Sequence, residues 1–357
     1  MVNGVIREGI KKLVKGVDLT SREAREIMKE IMSGRATEAQ IGAFLAALRM
    51  KGETIREISA FAAVMRDFCF RIYPKVNGRL VDTCGTGGDK VKTFNISTVA
   101  AFVVAGAGIP VAKHGNRSVT SRCGSADVLE RLGLNLNLEP KAVERIIEEV
   151  GIGFMFAPKF HPAMKHAIGP RREIGIRTVF NILGPLTNPA GANAQVLGVY
   201  SGEWVKPLAY ALNELGCEEG MVVHGLDGLD EISIIGKTSI AWLKDGEVSL
   251  MEVTPKKFGF RTAKPEEIGG TTPEESVKLT FKLLSNALNH KDPRRNIVLL
   301  NAAAGMVVGG KADDIFDGIE LAAESIESGA AYRKLWMMIK ASGGEMARLE
   351  ELEKEYA

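Results

Sequence analysis

The sequence predicts an α/β protein in which a small all-helical domain precedes a large domain with a mostly parallel central sheet flanked by helices. Up to about residue 70, apolar residues recur at helical spacing and three helix-start motifs follow one another. Beyond residue 78, short apolar runs alternate with helical stretches, as in a parallel sheet with crossover helices. We therefore expect a helical domain over residues 1–73, to which a later helical segment can add, and an α/β domain over residues 74–357.

The composition is that of an ordinary folded protein. Of the 357 residues, 45% are hydrophobic and 25% are charged, which argues against disorder or a disulfide scaffold. Lys and Arg number 46 against 44 for Asp and Glu, so the net charge of +2 gives no bulk field for nucleic acid. The four cysteines show no CxxC spacing, and no signal peptide or membrane span is recognisable, so we expect a reducing cytoplasm.

Three capping boxes mark helix starts in the N-terminal domain. Thr20, Thr37 and Thr54 each stand three residues before Glu or Gln, and Gly34 and Gly52 supply the stops. The helix that follows Thr37 is apolar on more than one side, so it should lie at the centre of the bundle or against a second subunit. We therefore expect the helical domain to form a homodimer interface.

The large domain is predicted to hold five buried strands, followed by an antiparallel pair. The antiparallel strands are expected at 232–235 and 248–253, on either side of a turn at 244–246. The five buried strands are expected at 79–82, 109–112, 154–156, 196–199 and 221–223.

A glycine-rich loop follows the first predicted strand. Gly85, Gly87 and Gly88 precede Asp89, and the loop leads into an apolar helix. Glycines let backbone N–H groups approach a phosphate, and a helix N-terminus adds a favourable dipole. The third glycine of a dinucleotide fingerprint and the Gly-Lys-Ser/Thr of a Walker loop are both missing, which disfavours a dehydrogenase or a nucleoside triphosphatase. A tight strand-to-helix turn is the alternative interpretation.

A polar segment follows the next predicted strand. Residues 113–121 hold two cations, a histidine, an amide and three hydroxyls at a strand end, where open α/β sheets bind ligands. Lys113 and the hydroxyls suit phosphate oxygens, whereas His114 and Asn116 suit an oriented substrate. A solvated polar loop is the alternative. Ser125 opens the next helix, either as an anion ligand or as an N-cap.

Two further clusters carry charged side chains. Arg171, Arg172 and Arg177 offer planar forks for a carboxylate, although ion pairing is the default role of such residues. Asp230 and Glu231 follow a predicted strand and, together with phosphate oxygens, are suitable ligands for Mg²⁺; loop carboxylates in water are the alternative. Because no motif for a nucleophilic residue is present, the sequence favours group transfer governed by positioning and electrostatics.

Taken in order along the chain, these motifs resemble those of the anthranilate phosphoribosyltransferase family. They are Gly85-Thr-Gly-Gly-Asp89, Asn95-Ile-Ser-Thr98, Lys113-His-Gly-Asn-Arg117, Gly124-Ser-Ala-Asp-Val-Leu-Glu130 and Arg177-Thr-Val-Phe-Asn-Ile-Leu-Gly-Pro-Leu-Thr-Asn-Pro189. The resemblance implies transfer of the phosphoribosyl group of 5-phosphoribosyl 1-pyrophosphate (PRPP) to the amine of anthranilate, a step of tryptophan biosynthesis. It also implies a nucleoside phosphorylase-like large domain, a homodimer and two Mg²⁺ ions per subunit.

The resemblance assigns roles to individual residues. Lys113 and Arg171 are expected to act through electrostatics and positioning, no general base is expected, and Arg177 belongs to a structural run. The anthranilate-binding set is Gly85, His114, Asn116 and Arg171, and the Mg²⁺-binding set is Ser97, Asp230 and Glu231. The PRPP-binding set is Gly85, Gly88, Asp89, Thr93, Asn95, Ile96, Ser97, Thr98, Lys113, His114, Gly115, Asn116, Arg117, Ser118, Val119, Thr120, Ser121 and Ser125.

Two other functions remain open on the sequence. A pyrimidine nucleoside phosphorylase-like enzyme would share the architecture and could use Lys113 for phosphate, but its loop differs from residues 85–89. A non-catalytic paralogue that binds nucleic acid is disfavoured by the near-neutral charge.

Overall fold

The computed structural model describes residues 4–88, 91, 93–118, 123–269 and 272–356. Four of the predicted PRPP-binding residues, Asp89, Val119, Thr120 and Ser121, lie outside the described residues. Among the helices that the model describes, none combines the length and the apolar character that crossing a bilayer requires.

Four helices build the N-terminal unit, and the three predicted capping boxes are confirmed at the starts of the second, third and fourth. The backbone N–H of Glu23 donates to Thr20 Oγ1 at 3.3 Å, and the Glu23 carboxylate accepts from the backbone N–H of Thr20 at 2.9 Å. The helices are α1 (Val5–Leu13), α2 (Ser21–Met32), α3 (Glu38–Lys51) and α4 (Ile55–Asp67). The apolar residues of α3, Ile41, Phe44, Leu45 and Leu48, are almost fully buried in the bundle core.

A seven-stranded sheet forms the centre of the large unit, and the predicted fold class is confirmed. The sheet order is β3-β2-β1-β4-β5-β6-β7, in which the first five strands are parallel and the last two are antiparallel. The strands are β1 (Val81–Gly85), β2 (Val111–Gly115), β3 (Ile152–Phe156), β4 (Ala194–Gly198), β5 (Glu219–Gly225), β6 (Thr238–Lys244) and β7 (Glu247–Val253).

The strand predicted at 232–235 is wrong, because the antiparallel partner of β7 is β6, a few residues later. The apolar residues Ile232 and Ile234 are buried, but they lie in an irregular segment. The side chain of Asn301 holds this segment: it accepts from the backbone N–H of Ile232 at 2.9 Å and donates to its carbonyl at 3.0 Å. A distant side chain therefore satisfies the backbone groups that a neighbouring strand would otherwise pair.

Twelve further helices among the described residues cover the sheet. They are α5 (Ile96–Gly106), α6 (Ser125–Arg131), α7 (Pro140–Val150), α8 (Ala157–Phe160), α9 (Lys165–Ile174), α10 (Phe180–Leu183), α11 (Val205–Glu214), α12 (Pro273–Leu284), α13 (Pro293–Val308), α14 (Ile315–Glu327), α15 (Ala330–Ala341) and α16 (Ala347–Tyr356).

At β4 and β5 the two faces of the sheet belong to two different hydrophobic cores. Val196 and Val223 join the core that contains α5, α12, α13 and α15. Their strand neighbours Leu197 and Val222 join a second core with α11 and the N-terminal helices, as the alternation of side chains along a strand requires. The N-terminal bundle thus shares a core with one face of the sheet, and the boundary at residues 73–74 stays a prediction. The carboxyl ends of the parallel strands meet at one edge, where the predicted site residues lie.

Candidate active site

The glycine loop after β1 is held by backbone contacts to β4 and to the segment that follows it. The Thr86 N–H donates to the Gly198 carbonyl at 2.9 Å, and the Thr86 hydroxyl accepts from the Tyr200 N–H at 3.0 Å. Gly87 and Gly88 adopt φ values of 64° and 80°, in the left-handed region that favours glycine. The loop therefore has a fixed backbone geometry, as an anion cradle requires.

Asp230 lies directly against this loop. Its carboxylate Oδ2 accepts from the Gly87 N–H at 2.9 Å. A Cβ at Gly85 would lie 2.6 Å from the same oxygen, and a Cβ at Gly198 would lie 1.5 Å from the Asp230 backbone carbonyl. Because Gly85 and Gly198 have no side chains, Asp230 can pack directly against both residues. Burial raises the pKa of the Asp230 carboxyl, and the Gly87 amide opposes that shift.

The start of α5 faces the same strand edge and holds four of the predicted PRPP-binding residues. No side chain of the described residues caps α5: the Asn95 Nδ2 donates to the Cys123 carbonyl at 3.2 Å, and the Asn95 Oδ1 has no hydrogen-bond partner among those residues. The Ser97 carbonyl accepts from the Thr83 hydroxyl at 2.8 Å, which ties the first turn to β1. Ile96 and Thr98 are buried, and their backbone N–H groups donate to the Phe94 carbonyl at 2.8 Å and to the Asn95 carbonyl at 3.0 Å. An uncapped helix N-terminus is a suitable anion site.

Lys113 is a buried cation at the centre of this arrangement. Lys113 is only 3% exposed, and its Nζ donates to the Thr83 carbonyl at 2.5 Å. Nζ also lies 3.4 Å from the Ser97 hydroxyl oxygen. Burial lowers the pKa of Lys113, whereas the carboxylates of Asp82 and Glu231 act in the opposite direction. Lys113 therefore connects β1, the start of α5 and the acidic pair at 230–231.

Asp82 is a fully buried carboxyl on β1 to which the sequence pattern assigned no role. It accepts from the Asn188 side-chain amide at 2.8 Å and from the His114 backbone N–H at 3.3 Å. Burial raises its pKa to about 6, and the nearby Lys113 cation opposes the shift. An acidic residue inside an otherwise apolar strand is the signal that could have identified it.

Two histidines lie together at the end of β2, where His161 is buried and His114 is half-buried. The ring centroids of His114 and His161 are 4.9 Å apart, and neither Nε2 atom has a hydrogen-bond partner among the described residues. Burial lowers both pKa values, that of His161 to about 4, so both rings are neutral near pH 7. A hydrogen bond between the His114 ring and the Gly184 backbone opposes the lowering of the His114 pKa. Sequence reasoning gave His161 no role, because it lies 47 positions after His114 and belongs to no motif.

The loop after β2 is anchored to α6. Ser125 is the first residue of that helix, and its hydroxyl donates to the Asn116 carbonyl at 3.3 Å, while Gly124 is the N-cap. The Arg117 guanidinium forms ion pairs with Asp127 at 2.9 Å and with Glu130 at 2.7 Å. The Ser118 N–H likewise donates to Asp127 Oδ2 at 3.2 Å.

Arg117 is therefore engaged by α6 in this structure, although the sequence predicted it as a PRPP ligand. Gly115, at the end of β2, has room for no side chain, because a Cβ there would lie 2.4 Å from Ser125 Oγ. Thr93, another predicted ligand, forms an isolated backbone bridge with Gly269.

Arg171 lies on α9 and has no carboxylate partner within 4 Å among the described residues. Its guanidinium stacks over the Phe180 ring, 5.1 Å from the ring centroid. Burial lowers the pKa of Arg171, but a guanidinium remains charged. Phe180 begins α10, and α10 leads directly to Gly184, which supports His114. A partly buried guanidinium without a carboxylate partner among the described residues is suited to binding a carboxylate.

Arg177 holds the glycine loop from the opposite side. Its guanidinium donates to the Gly88 carbonyl at 2.8 Å and stacks 4.1 Å from the centroid of the Tyr200 ring. A cavity of about 300 Å³ adjoins this contact. It is lined by Arg177, Tyr200, Ser201, His224, Leu226, Asp227 and Gly228.

The candidate metal ligands are all hard oxygen donors. Lys113 lies between two of them: its Nζ is 3.4 Å from the Ser97 hydroxyl, and the Glu231 carboxylate opposes the lowering of the Lys113 pKa. The third, Asp230, accepts a hydrogen bond from the Gly87 N–H of the glycine loop. Among the described residues, no three His, Cys, Asp or Glu side chains form a metal-binding group. This donor set fits Mg²⁺, which is commonly held by one or two carboxylates with substrate phosphates and water.

Two family models match the chain. The helical bundle domain of a glycosyl transferase family matches residues 7–69, and the a/b domain of a glycosyl transferase family matches residues 77–332. The anthranilate phosphoribosyltransferase of Pelotomaculum thermopropionicum is 53% identical over 339 residues, covering 95% of this chain and 97% of that protein. The protein of the same name from Methanocorpusculum labreanum is 53% identical over 340 residues, covering 95% and 99%.

Solved structures give the same relationship. Anthranilate phosphoribosyltransferase from Thermus thermophilus superposes with a TM-score of 0.88 at 42% identity, covering 94% of this chain and 99% of that one. The Saccharomyces cerevisiae protein in complex with PRPP and Mg superposes with a TM-score of 0.87 at 28% identity, covering 96% and 98%. A further structure of that yeast protein contains 4-fluoroanthranilate and has a TM-score of 0.85.

Proposed function

The chain belongs to the anthranilate phosphoribosyltransferase family of glycosyl transferases, and from that premise we propose how its own residues carry the reaction. It is a pentosyltransferase of tryptophan biosynthesis, which transfers the 5-phosphoribosyl group of PRPP to the amine of anthranilate and releases pyrophosphate. This relationship favours phosphoribosyl transfer over the phosphorylase and nucleic-acid-binding alternatives.

The PRPP site is proposed at the glycine loop and the start of α5. The observation that carries this assignment is the buried Lys113 cation, whose Nζ lies 3.4 Å from the Ser97 hydroxyl and donates to the Thr83 carbonyl at 2.5 Å. A buried cation without a directly bonded carboxylate is available to a phosphate oxygen. The N-terminus of α5, which no side chain of the described residues caps, lies at the same strand edge and favours an anion.

Mg²⁺ is proposed to bind through Ser97, Asp230 and Glu231, with two ions per subunit. The yeast relative was solved with PRPP and Mg, and the oxygen donors of this chain suit the same ion. Held there, Mg²⁺ would neutralise charge on the pyrophosphate oxygens. Within the chain, Asp230 remains fixed by the Gly87 amide, and Lys113 supplies the positive charge that stabilises the leaving pyrophosphate.

Anthranilate is proposed to bind between Arg171 and the histidine pair. The Arg171 fork suits its carboxylate, because no carboxylate among the described residues pairs with that guanidinium. The neutral His114 ring lies on this side in the proposal, and the His161 ring packs against it with 4.9 Å between the ring centroids. Asn116 and Gly85 complete the acceptor side in this proposal.

The reaction is proposed as displacement at the ribose C1 through a transition state with oxocarbenium character. The C1–O bond to pyrophosphate breaks, the C1–N bond forms, and the amine proton leaves to water or to pyrophosphate. Both histidines have lowered pKa values, so neither is a strong base at neutral pH, and no general base is assigned. Catalysis then depends on holding the amine against C1 and on stabilising the leaving group.

We also propose a homodimer in the cytoplasm. Val14 and Met50, at the ends of α1 and α3, are 71% and 87% exposed, and a second copy would cover such apolar side chains. The four cysteines are all free thiols, which suits a reducing compartment. Sedimentation equilibrium of the chain and of Met50→Glu tests the dimer, since a charge in the interface should yield monomers.

The proposed reaction is tested by following anthranilate fluorescence with PRPP and Mg²⁺, with controls that omit each component. We expect anthranilate fluorescence to fall only when the protein, PRPP and Mg²⁺ are all present. One pyrophosphate should be released for each anthranilate consumed. Loss of signal without PRPP, or none with all three in a folded sample, would contradict the proposal. Thymidine or uridine with phosphate in a parallel assay tests for phosphorolysis.

A further inference from the structure

A second cavity lies between α2, α4 and the end of α11. Its volume is about 300 Å³. Four arginines line it: Arg25 on α2, Arg56 and Arg66 on α4, and Arg71 after α4. None of the residues predicted to bind PRPP, anthranilate or Mg²⁺ lines this cavity. We call it the arginine cavity.

The arginine cavity carries excess positive charge. Its lining includes two carboxylates, Asp67 and Glu214, against the four guanidinium groups, which leaves a formal excess of two positive charges. Among the described residues, no carboxylate lies within 4 Å of any of the four guanidinium groups. No carboxylate among the described residues thus neutralises these arginines at close range, and their like charges repel one another.

Arg66 forms the inner wall and is fixed in place. Its Nε donates to the Leu186 carbonyl at 2.8 Å and one Nη donates to the Leu215 carbonyl at 3.0 Å. Burial lowers the pKa of Arg66, and the Arg71 cation acts in the same direction. Two neutral carbonyls orient the guanidinium without cancelling its charge, so that it is already ordered before any ligand arrives.

The chemistry of the lining selects a compact oxyanion. Guanidinium groups bind phosphate through paired N–H donors, and several forks around one small space favour a multiply charged anion over a single carboxylate. A volume of about 300 Å³ is at the small end of ligand pockets, and it has room for an orthophosphate or a diphosphate group. We propose that the arginine cavity is a second anion site, which binds a compact phosphate or diphosphate group independently of the catalytic centre.

The site also has a structural route to the catalytic centre. Leu186, which accepts from Arg66, lies in the turn of residues 184–187, and Gly184 of that turn supports His114. The proposal concerns binding alone, and it stands whether or not an occupied cavity changes turnover.

Equilibrium dialysis with radiolabelled pyrophosphate tests the proposal on the full chain. We expect the wild-type chain to bind two equivalents of pyrophosphate. In the Arg25→Ala/Arg56→Ala variant, the affinity of one of the two sites for pyrophosphate should fall at least tenfold. A second variant, Ala63→Glu, places a carboxylate on the cavity wall and should have the same effect. Both arginines are exposed, so the fold should persist, and circular dichroism checks it.

The matched control is Arg22→Ala/Arg49→Ala, which removes two arginines of the same bundle that do not line the cavity. It should keep both equivalents. Orthophosphate in a parallel arm identifies the group: tighter binding of pyrophosphate points to a diphosphate ligand, and equal binding points to a single phosphate. A single equivalent in wild type that the cavity variants leave unchanged would overturn the proposal, and so would equal losses in the cavity and control variants.

Discussion

Gly85→Ala perturbs the contact between the glycine loop and Asp230 with a single methyl group. The new Cβ would lie 2.6 Å from Asp230 Oδ2 and 3.3 Å from its Cγ, whereas ordinary contacts begin at 3.4 Å. The carboxylate must therefore retreat by about 0.8 Å, the difference between 3.4 and 2.6 Å. Gly85 has no positive φ, so the substitution adds no backbone strain of its own.

The expected effect has two parts. A displaced carboxylate weakens its hydrogen bond with the Gly87 amide, and hydrogen bonds to charged groups contribute about 1.5–3 kcal/mol to stability. A misplacement of about 1 Å in a catalytic arrangement can lower the rate about 100-fold. We therefore expect kcat/KM for PRPP to fall between about 10-fold and 100-fold, with a higher Mg²⁺ concentration at half-maximal rate, because Asp230 is a proposed metal ligand.

Initial rates of anthranilate consumption, measured across Mg²⁺ and PRPP concentrations, provide the assay. Gly42→Ala is the matched control, since its Cβ would meet only Ile174 Cγ2 at 3.5 Å, an ordinary contact. It should leave the kinetics unchanged. The reasoning would be refuted if Gly85→Ala kept the wild-type Mg²⁺ dependence and kcat/KM while thermal unfolding showed both variants to be folded.

Three further changes probe the acceptor side, the metal site and the buried histidine. Arg171→Ala should raise KM for anthranilate at least tenfold more than KM for PRPP, and equal effects in steady-state kinetics would contradict its role as a carboxylate fork. Asp230→Asn with Glu231→Gln should weaken Mg²⁺-dependent turnover, whereas an unchanged Mg²⁺ titration would remove both from the metal site. Burial holds the pKa of His161 at about 4, below the ~6.5 of an unfolded chain, so stability from the neutral ring is complete above pH ~6.5 and is lost as pH falls toward 4. His161→Gln should therefore remove about 2 kcal/mol of the change in unfolding free energy between pH 7 and 5, and urea denaturation that shows the same pH slope in both proteins would contradict this.

Local rules predicted much of the fold. The hydroxyl and carboxyl groups of a capping box lie three residues apart, so Thr20 and Glu23 marked the start of α2 without tertiary information. The same holds for the buried parallel strands, whose short apolar runs were visible in the sequence. Because parallel strands end at one edge, Gly85 and Lys113 were expected to lie near each other, and Lys113 does contact the Thr83 carbonyl on β1.

Tertiary contacts explain what sequence patterns missed. The apolar residues at 232–235 imitate a strand, but α13 contributes Asn301, whose side chain replaces the ladder hydrogen bonds. Sequence patterns also do not reveal contacts between residues that are far apart in the chain. His161 contacts His114, and Asp82 accepts a hydrogen bond from Asn188. Arg117 shows the opposite case, because a residue of a phosphate-like motif is paired with carboxylates on α6.

The division of the site into a phosphate side and an acceptor side is tested most directly by two crystal structures of this chain. One would contain PRPP with Mg²⁺, and the other 4-fluoroanthranilate alone, so that neither crystal can turn over. We predict pyrophosphate oxygens within hydrogen-bond distance of Lys113 Nζ and the analogue's carboxylate on the Arg171 guanidinium. Pyrophosphate bound away from Lys113, or a carboxylate bound away from Arg171, would contradict the account.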